Sequence, residues 1–196
     1  MTSRRLAQLV LGCFVLGVGV ALLLTPKFGS DGFSTLVLGV SETADIAFVL
    51  ANALVAATFV GVAWLRGLRP GVGTITQIVV VGAVADGGLR LLELGDPYTL
   101  WLRLVMVVVA FPILALGISL YLGTKLGAGP AEAPALAWDP PVPFKWSYSA
   151  VQGGGALFGW LLGAPIGAGT VAVILLLGPV VDLTARLLRL DIAQDH

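Results

Sequence analysis

Charge is what this sequence has least of. Of its 196 residues only 11% are Asp, Glu, Lys or Arg, against about 25% in an average soluble domain. That excludes an ordinary water-soluble enzyme and a disordered chain. Lys plus Arg and Asp plus Glu balance at 11 each, so net charge points to no nucleic acid or other polyanion. The single cysteine, Cys13, leaves no internal disulfide, and the single histidine, His196, is the last residue. No metal or other cofactor is expected, and no enzyme: with a lone terminal His196, no HExxH, Ser–His or Cys–His set is found. What it has instead is 58% apolar residues and 26 glycines, with a mean hydropathy of +0.99. The bilayer is its expected partner.

Crossing a bilayer as a helix takes about 20 mostly apolar residues. Six stretches qualify: Leu6–Leu24, Ile46–Leu65, Gly73–Leu92, Leu100–Leu122, Trp146–Leu162 and Thr170–Leu188. Continuous runs predict helices rather than the alternating segments of a barrel. Arg4 and Arg5 before an apolar run resemble a secretory signal, but the run continues through Leu24 with no small-x-small cleavage pattern, so a retained helix is expected. With the N-terminus cytoplasmic, Arg4, Arg5, Arg66, Arg69, Lys125, Lys145, Arg186 and Arg189 fall inside and Lys27, Arg90 and Arg103 outside. The basic bias predicts both termini cytoplasmic.

An internal repeat is the most informative feature. Shifted by 96 positions, Trp64–Leu92 falls on Trp160–Leu188 without a gap, sharing W-L-x-G-x3-G-x-G-T-x7-G-x3-D-x3-R-L-L. Apolar segments match by chance at Leu, Val and Gly, but not readily at Trp, Asp and Arg in one register. Lys27-Phe28-Gly29-Ser30 echoes Lys125-Leu126-Gly127-Ala128. Each unit then holds three spans, and an odd number inverts the second unit. The prediction is an all-α polytopic bundle: unit 1 over residues 1–95, unit 2 over 96–189, and a cytoplasmic tail over 190–196. The units form a 3+3 inverted repeat.

The chain resembles the YczE/YyaS/YitT-type bacterial multi-pass membrane proteins, especially the short YczE-like branch. The resemblance rests on Gly17-Val18-Gly19, Leu126-Gly127-Ala128-Gly129-Pro130, Gly71-Val72-Gly73-Thr74, Gly167-Ala168-Gly169-Thr170 and the paired D-x3-R-L-L endings. It implies a protein of the bacterial cytoplasmic membrane and carries no established activity. Asp139-Pro140-Pro141-Val142-Pro143 departs from the more basic segment of such relatives.

Asp86 and Asp182 lead the candidate path residues. Each lies about twelve residues into its expected span, roughly 18 Å along it, where a carboxylate is costly and should face the bundle interior or a wet cavity. Arg90 and Arg186 follow on the same helical face. The pairs are either relays at two gates or structural ion pairs whose arginines snorkel, and the second reading leads. Thr74 and Thr170 are expected N-caps. The adjoining Gly-x-Gly motifs suit close packing better than anion binding. Gly155, Gly159 and Gly163, and likewise Ala53, Ala57 and Gly61, form small-residue stripes for helix packing. Phe33–Val40 and Ala131–Trp138 are too short to span. They lie flat at the interface, the slightly favoured course, or re-enter with Lys27 and Lys125 near an anion-attracting site. Gln8, Asn52, Gln77, Tyr148 and Gln152 are weaker polar clues, with Asn52 and Gln77 added to the candidate path.

Two functions compete at this level. One is a small-solute or ion transporter or channel working by alternating access. The other is a membrane binding or accessory subunit that needs a partner, with homo-oligomerisation open in both.

Overall fold

A computed structural model describes residues 3–138 and 141–190, all of whose regular structure is helical. The expected tail beyond Leu190, the Asp139–Pro140 part of the proline segment and the side chain of Lys145 lie outside the described residues. The helices are α1 (Ser3–Leu24), α2 (Gly32–Ala44), α3 (Phe48–Leu65), α4 (Val72–Glu93), α5 (Leu100–Leu122), α6 (Ala133–Ala137) and α7 (Phe144–Leu161), followed by α8 (Ala168–Leu187). Five of them, α1, α3, α4, α5 and α8, are long and apolar enough to cross a membrane. This is an integral membrane protein by that measure.

The sixth expected span is present as a helix but is not apolar enough to count among the five. The reason is visible in α7: Ser147, Tyr148 and Gln152 are turned into the bundle, and Gly155 and Gly159 replace bulky side chains along its contact with α2.

At the centre α1 and α5 cross antiparallel. Gln8 Nε2 donates to Leu120 O at 2.9 Å near one end, while Gly19 meets Leu114 further along. Glycines set how closely they cross: a Cβ on Gly12 would lie 2.7 Å from the Tyr121 nitrogen, and one on Gly117 2.6 Å from the Leu16 nitrogen. Leu9, Leu16, Leu114, Ile118 and Tyr121 fill the resulting core. The outer surface is apolar, with Leu54, Val79, Val108 and Leu175 more than half exposed. An inside-out distribution of this kind is what lipid contact requires.

The long connections pack against the long helices. Along α2 and α7 the contacts run Gly32 to Gln152, Gly39 to Gly159 and Thr43 Oγ1 to Leu162 O. The two helices are therefore parallel, and α2 starts beside the middle of α7. The chain turns back from the end of α1 to the middle of α7 before α2 begins. Asp31 caps that helix, its Oδ2 accepting from Ser34 N at 2.9 Å. At the opposite end Ala133 packs near Val60 and Ala63, and Trp138 lies under the Arg66 guanidinium 5.0 Å away. So α6 runs alongside α3 toward the other end. Helix α2 is held in place by burying Phe33 and Val37, with the Phe33 ring edge-on to Phe59.

The Gly-x-Gly-Thr motifs dock these re-entrant segments. Gly73 N donates to Leu126 O at 2.7 Å, and Gly169 N donates to Phe28 O at 3.0 Å. Any Cβ on Gly73 or Gly169 would come within 3 Å of those loops. The N-caps are Gly71 and Gly167 rather than Thr74 and Thr170. The threonines sit three residues on and accept the cap residues' own N–H groups at 3.1 and 3.4 Å. A second correction concerns Ala53, Ala57 and Gly61: the two alanines are exposed and Gly61 has no neighbour within 4 Å, so this stripe is no seam within the chain. Gly155 and Gly159 do form one, each within 2.6 Å of α2 backbone if given a Cβ.

Candidate functional site

The two aspartates first suspected are apart from each other and from the protein's centre. Arg90 Nε is 2.9 Å from Asp86 Oδ2, and Arg186 Nη2 is 2.7 Å from Asp182 Oδ2. Both expected pairs form, but the aspartate side chains are 19% and 55% exposed and the arginines more than 70%. Asp182 thus faces outward, not into the bundle, and it lies five residues from the end of α8, about 7.5 Å of helix. Lys27 and Lys125 are equally far from the centre. Both occupy left-handed turns, at φ 59° and 53°, and they line separate pockets at opposite ends of the bundle.

What the fold brings together is a different set. Asp31, Ser34, Asn52, Gln77, Glu132, Tyr148 and Gln152 line one cavity of about 40 Å³ between Val20, Leu114, Ile118 and Leu177. At ~10–15 Å³ per water it holds about three or four waters or one small ion. Of these, Asn52 and Gln77 belong to the sequence-derived path and Tyr148 and Gln152 to its weaker polar clues, whereas Asp31 and Glu132 are new. The acids precede α2 and α6 directly, so both re-entrant segments present a carboxylate to the same space.

Glu132 is 2% exposed. Its Oε2 accepts from Tyr121 Oη and from Gln77 Nε2 at 3.4 Å, and Tyr121 Oη accepts from Gly129 N at 3.3 Å. Burial pushes the Glu132 carboxyl up to about 7, the Tyr121 hydrogen bond opposing that rise. Asp31 is 7% exposed, and burial raises its carboxyl too, against the pull of the Ser34 N–H. Its Oδ1 has no hydrogen-bond partner, an arrangement that costs free energy unless something else satisfies it.

The remaining amides are held in place. Gln152 Oε1 accepts from Phe33 N at 3.1 Å while its Nε2 donates to Tyr148 Oη at 2.7 Å. Asn52 Nδ2 donates to Ile78 O at 3.1 Å, and across the bundle Ser149 Oγ donates to Ile174 O at 3.1 Å. That second carbonyl belongs to a π-helical turn, Val173–Leu177. Pro179 follows it and has no N–H for the carbonyl of Leu175. Turns of this kind recur at functional positions in helices, and Leu177 is part of the cavity wall.

The anion-attracting site weighed beside the lysines does not coincide with this cavity. No Lys, Arg or His lines the cavity among the described residues, and carboxylates stand where an anion would have to sit. Nor is any group of three or more His, Cys, Asp or Glu arranged for a metal among those residues.

Known proteins are similar to this chain without naming an activity for it. An uncharacterized protein of Haemophilus influenzae is 26% identical over 183 residues, covering 91% of this chain and 82% of the relative. No solved structure matches. Residues 3–186 match DUF6198, a family of unknown function, and the chain belongs to that family.

Proposed function

We propose that the protein is a membrane transporter or channel for a small solute, not an enzyme, with the Asp31–Glu132 cavity as its solute site. One observation carries this reading: two re-entrant segments of opposite direction end at one buried polar cavity between the long helices. Irregular backbone at membrane depth is tolerated where it lines such a cavity, and discontinuous helices meeting near mid-depth are how secondary transporters form their sites.

In this reading the scaffold is a six-helix, 3+3 inverted repeat, α7 being the sixth crossing. Paired features support it. Lys27 pairs with Lys125 and Gly29 with Gly127, each with positive φ. The bonds from Gly73 to Leu126 and from Gly169 to Phe28 cross between the halves in both directions, and those from α3 to Ile78 and from α7 to Ile174 are matched within each half. The basic residues of the α1 N-terminus and of the α3, α5 and α8 C-termini gather at one end, which the charge bias makes cytoplasmic. The Asp–Arg pairs are then anchors near the two ends rather than gates. The YczE-like placement rests on the glycine motifs and the paired D-x3-R-L-L endings and brings no activity to this reading.

Proteoliposomes test it by stopped-flow light scattering under gradients of NaCl, KCl, NH4Cl and glycerol. Faster dissipation than in protein-free vesicles is expected for at least one solute, lost in Asp31→Asn and Glu132→Gln and kept in Asp182→Asn. Rates equal to those of empty vesicles across the panel overturn the proposal.

A further inference from the structure

We infer that the central cavity is a binding site for a small monovalent cation, an alkali ion or ammonium, seated on the Asp31 carboxylate. This deepens the transport reading and rests on it for its physiological meaning, but binding is measurable without transport.

Three observations converge. The first is the unpartnered Oδ1 of Asp31, on a residue that is 93% buried and lines the cavity. A second is the way the other oxygens are used. Asp31 Oδ2 is held by Ser34 N, and Glu132 Oε2 by Tyr121 and Gln77. The N-terminus of α2, thirteen residues long, favours the ionised form of its cap. One open anionic oxygen among neutral amide and hydroxyl groups suits one positive charge. A calcium-like ion would call for six or more oxygens and several carboxylates.

The third observation is the approach. Ser30, next to Asp31, helps to line a vestibule of about 260 Å³ at one end of the bundle, whose charged walls are Glu42, Glu93 and Asp96 against Lys27. Asp96 is paired with Arg103 Nη2 at 2.9 Å, so Glu42 and Glu93 against Lys27 leave that end acidic and concentrate cations there. A separate pocket at the opposite end carries Arg69 and Lys125 instead, so the two ends differ in sign. A helix N-terminus by itself attracts anions. Here its own cap supplies the anion, and what is left to bind is the counter-charge. The cavity's size excludes a quaternary ammonium such as choline.

The experiment uses the purified full-length protein in detergent, with choline chloride replaced at constant ionic strength by LiCl, NaCl, KCl or NH4Cl. A saturable rise in melting temperature is expected with at least one of these cations, because a ligand of the native state stabilises it by mass action. Exchanging chloride for nitrate should leave it unchanged. Asp31→Asn keeps an acceptor for Ser34 N and should weaken half-saturation on the order of tenfold or more, as when a charged acceptor becomes neutral. Equal melting in all five salts, a response that follows the anion or only pH, or an unaltered half-saturation in the variant overturns the inference. Should the variant not fold, equilibrium dialysis of wild-type protein with radioactive sodium and rubidium decides: about one ion per chain supports it and none overturns it. A cation that binds without crossing proteoliposomes defeats the transport reading alone. Glycerol flux with no cation response defeats this inference alone.

Discussion

The two halves of the chain share a signature and use it differently. In the first half the re-entrant helix α2 has thirteen residues and lies backbone to backbone on α7; in the second, α6 has five and leans on α3 beside Arg66. Helix α4 is uninterrupted, whereas α8 carries a π-helical turn ahead of Pro179, at a position where α4 has Ala83. Asp86 is mostly covered and Asp182 mostly exposed. Gly88 accounts for part of that: it lets Ala21 of α1 come within 2.7 Å of where a Cβ would be. In α8 the same place is taken by Thr184, whose hydroxyl bonds back to Val180 O. A repeated motif therefore fixes the docking of each half. What its acids do is decided by the neighbours that surround them.

The largest expected effect separates the two re-entrant junctions. A Cβ on Gly32 would fall 1.7 Å from the backbone oxygen of Gln152, whereas one on Gly129 would meet only the Gln77 side-chain amide, at 2.1–2.4 Å. Backbone cannot retreat as an amide can. Gly32→Ala should cost at least the ~1–3 kcal/mol typical of overpacking and reduce the yield of folded protein. Gly129→Ala should fold, losing about 1 kcal/mol with the Gln77–Glu132 bond. Melting curves of the two purified variants check the order, and equal losses would mean that the halves are docked alike.

The second effect concerns the acids themselves. Glu132 keeps its proton up to about pH 7 in the native protein, against an ordinary value of 4.5. Between those values the native state binds more protons than the unfolded one, so stability should fall as pH rises through that window and level off above it. The drop is on the order of 3 kcal/mol at ~1.4 kcal/mol per pH unit. Glu132→Gln should flatten it. Tyr121→Phe should extend the window upward, since it removes the hydrogen bond that favours ionisation. Thermal melts between pH 4 and 9 in choline buffers read both changes. A slope that persists in Glu132→Gln would move the titration to Asp31.

Much of this fold is legible in the sequence. Helix-length apolar runs, the 96-residue shift and the gathering of basic residues at one end all follow from composition and period, which lipid enforces at every turn. The cavity is not legible in the same way. Asp31 and Glu132 sit in connections where an acid ordinarily reads as solvent-facing. The matched segments Lys27–Ser30 and Lys125–Ala128 stop just short of them. Their signal is an acid immediately before a short apolar segment in both long connections, and it acquires meaning only when those segments turn inward. Asp86 and Asp182 drew attention because their spacing from Arg90 and Arg186 is visible along one helix. Burial, which decides chemistry, depends on helices distant in sequence, and no local pattern encodes it. The packing of Phe33–Val40 is hidden from the sequence for that reason: its partner is the glycine face of α7, 119 positions away at the Phe33–Gln152 bond.

The smallest expected effect is the one that tests whether those visible pairs do anything beyond anchoring. Asp182→Asn removes a pair whose partners are 55% and 76% exposed, and Asp86→Asn one whose acid is 19% exposed. An ion pair open to solvent is worth about 0–1 kcal/mol. Lipid rather than water around Arg186 would raise that value, since a guanidinium deprived of its carboxylate must then reach the interface alone. Asp86→Asn should therefore cost more than Asp182→Asn in detergent, where micelle water screens the exposed pair. The gap should narrow or reverse in bilayer nanodiscs if α8 meets lipid at Asp182. Equal losses in both settings would mean that the two pairs share one environment, and the difference between the halves would then stop at the re-entrant segments.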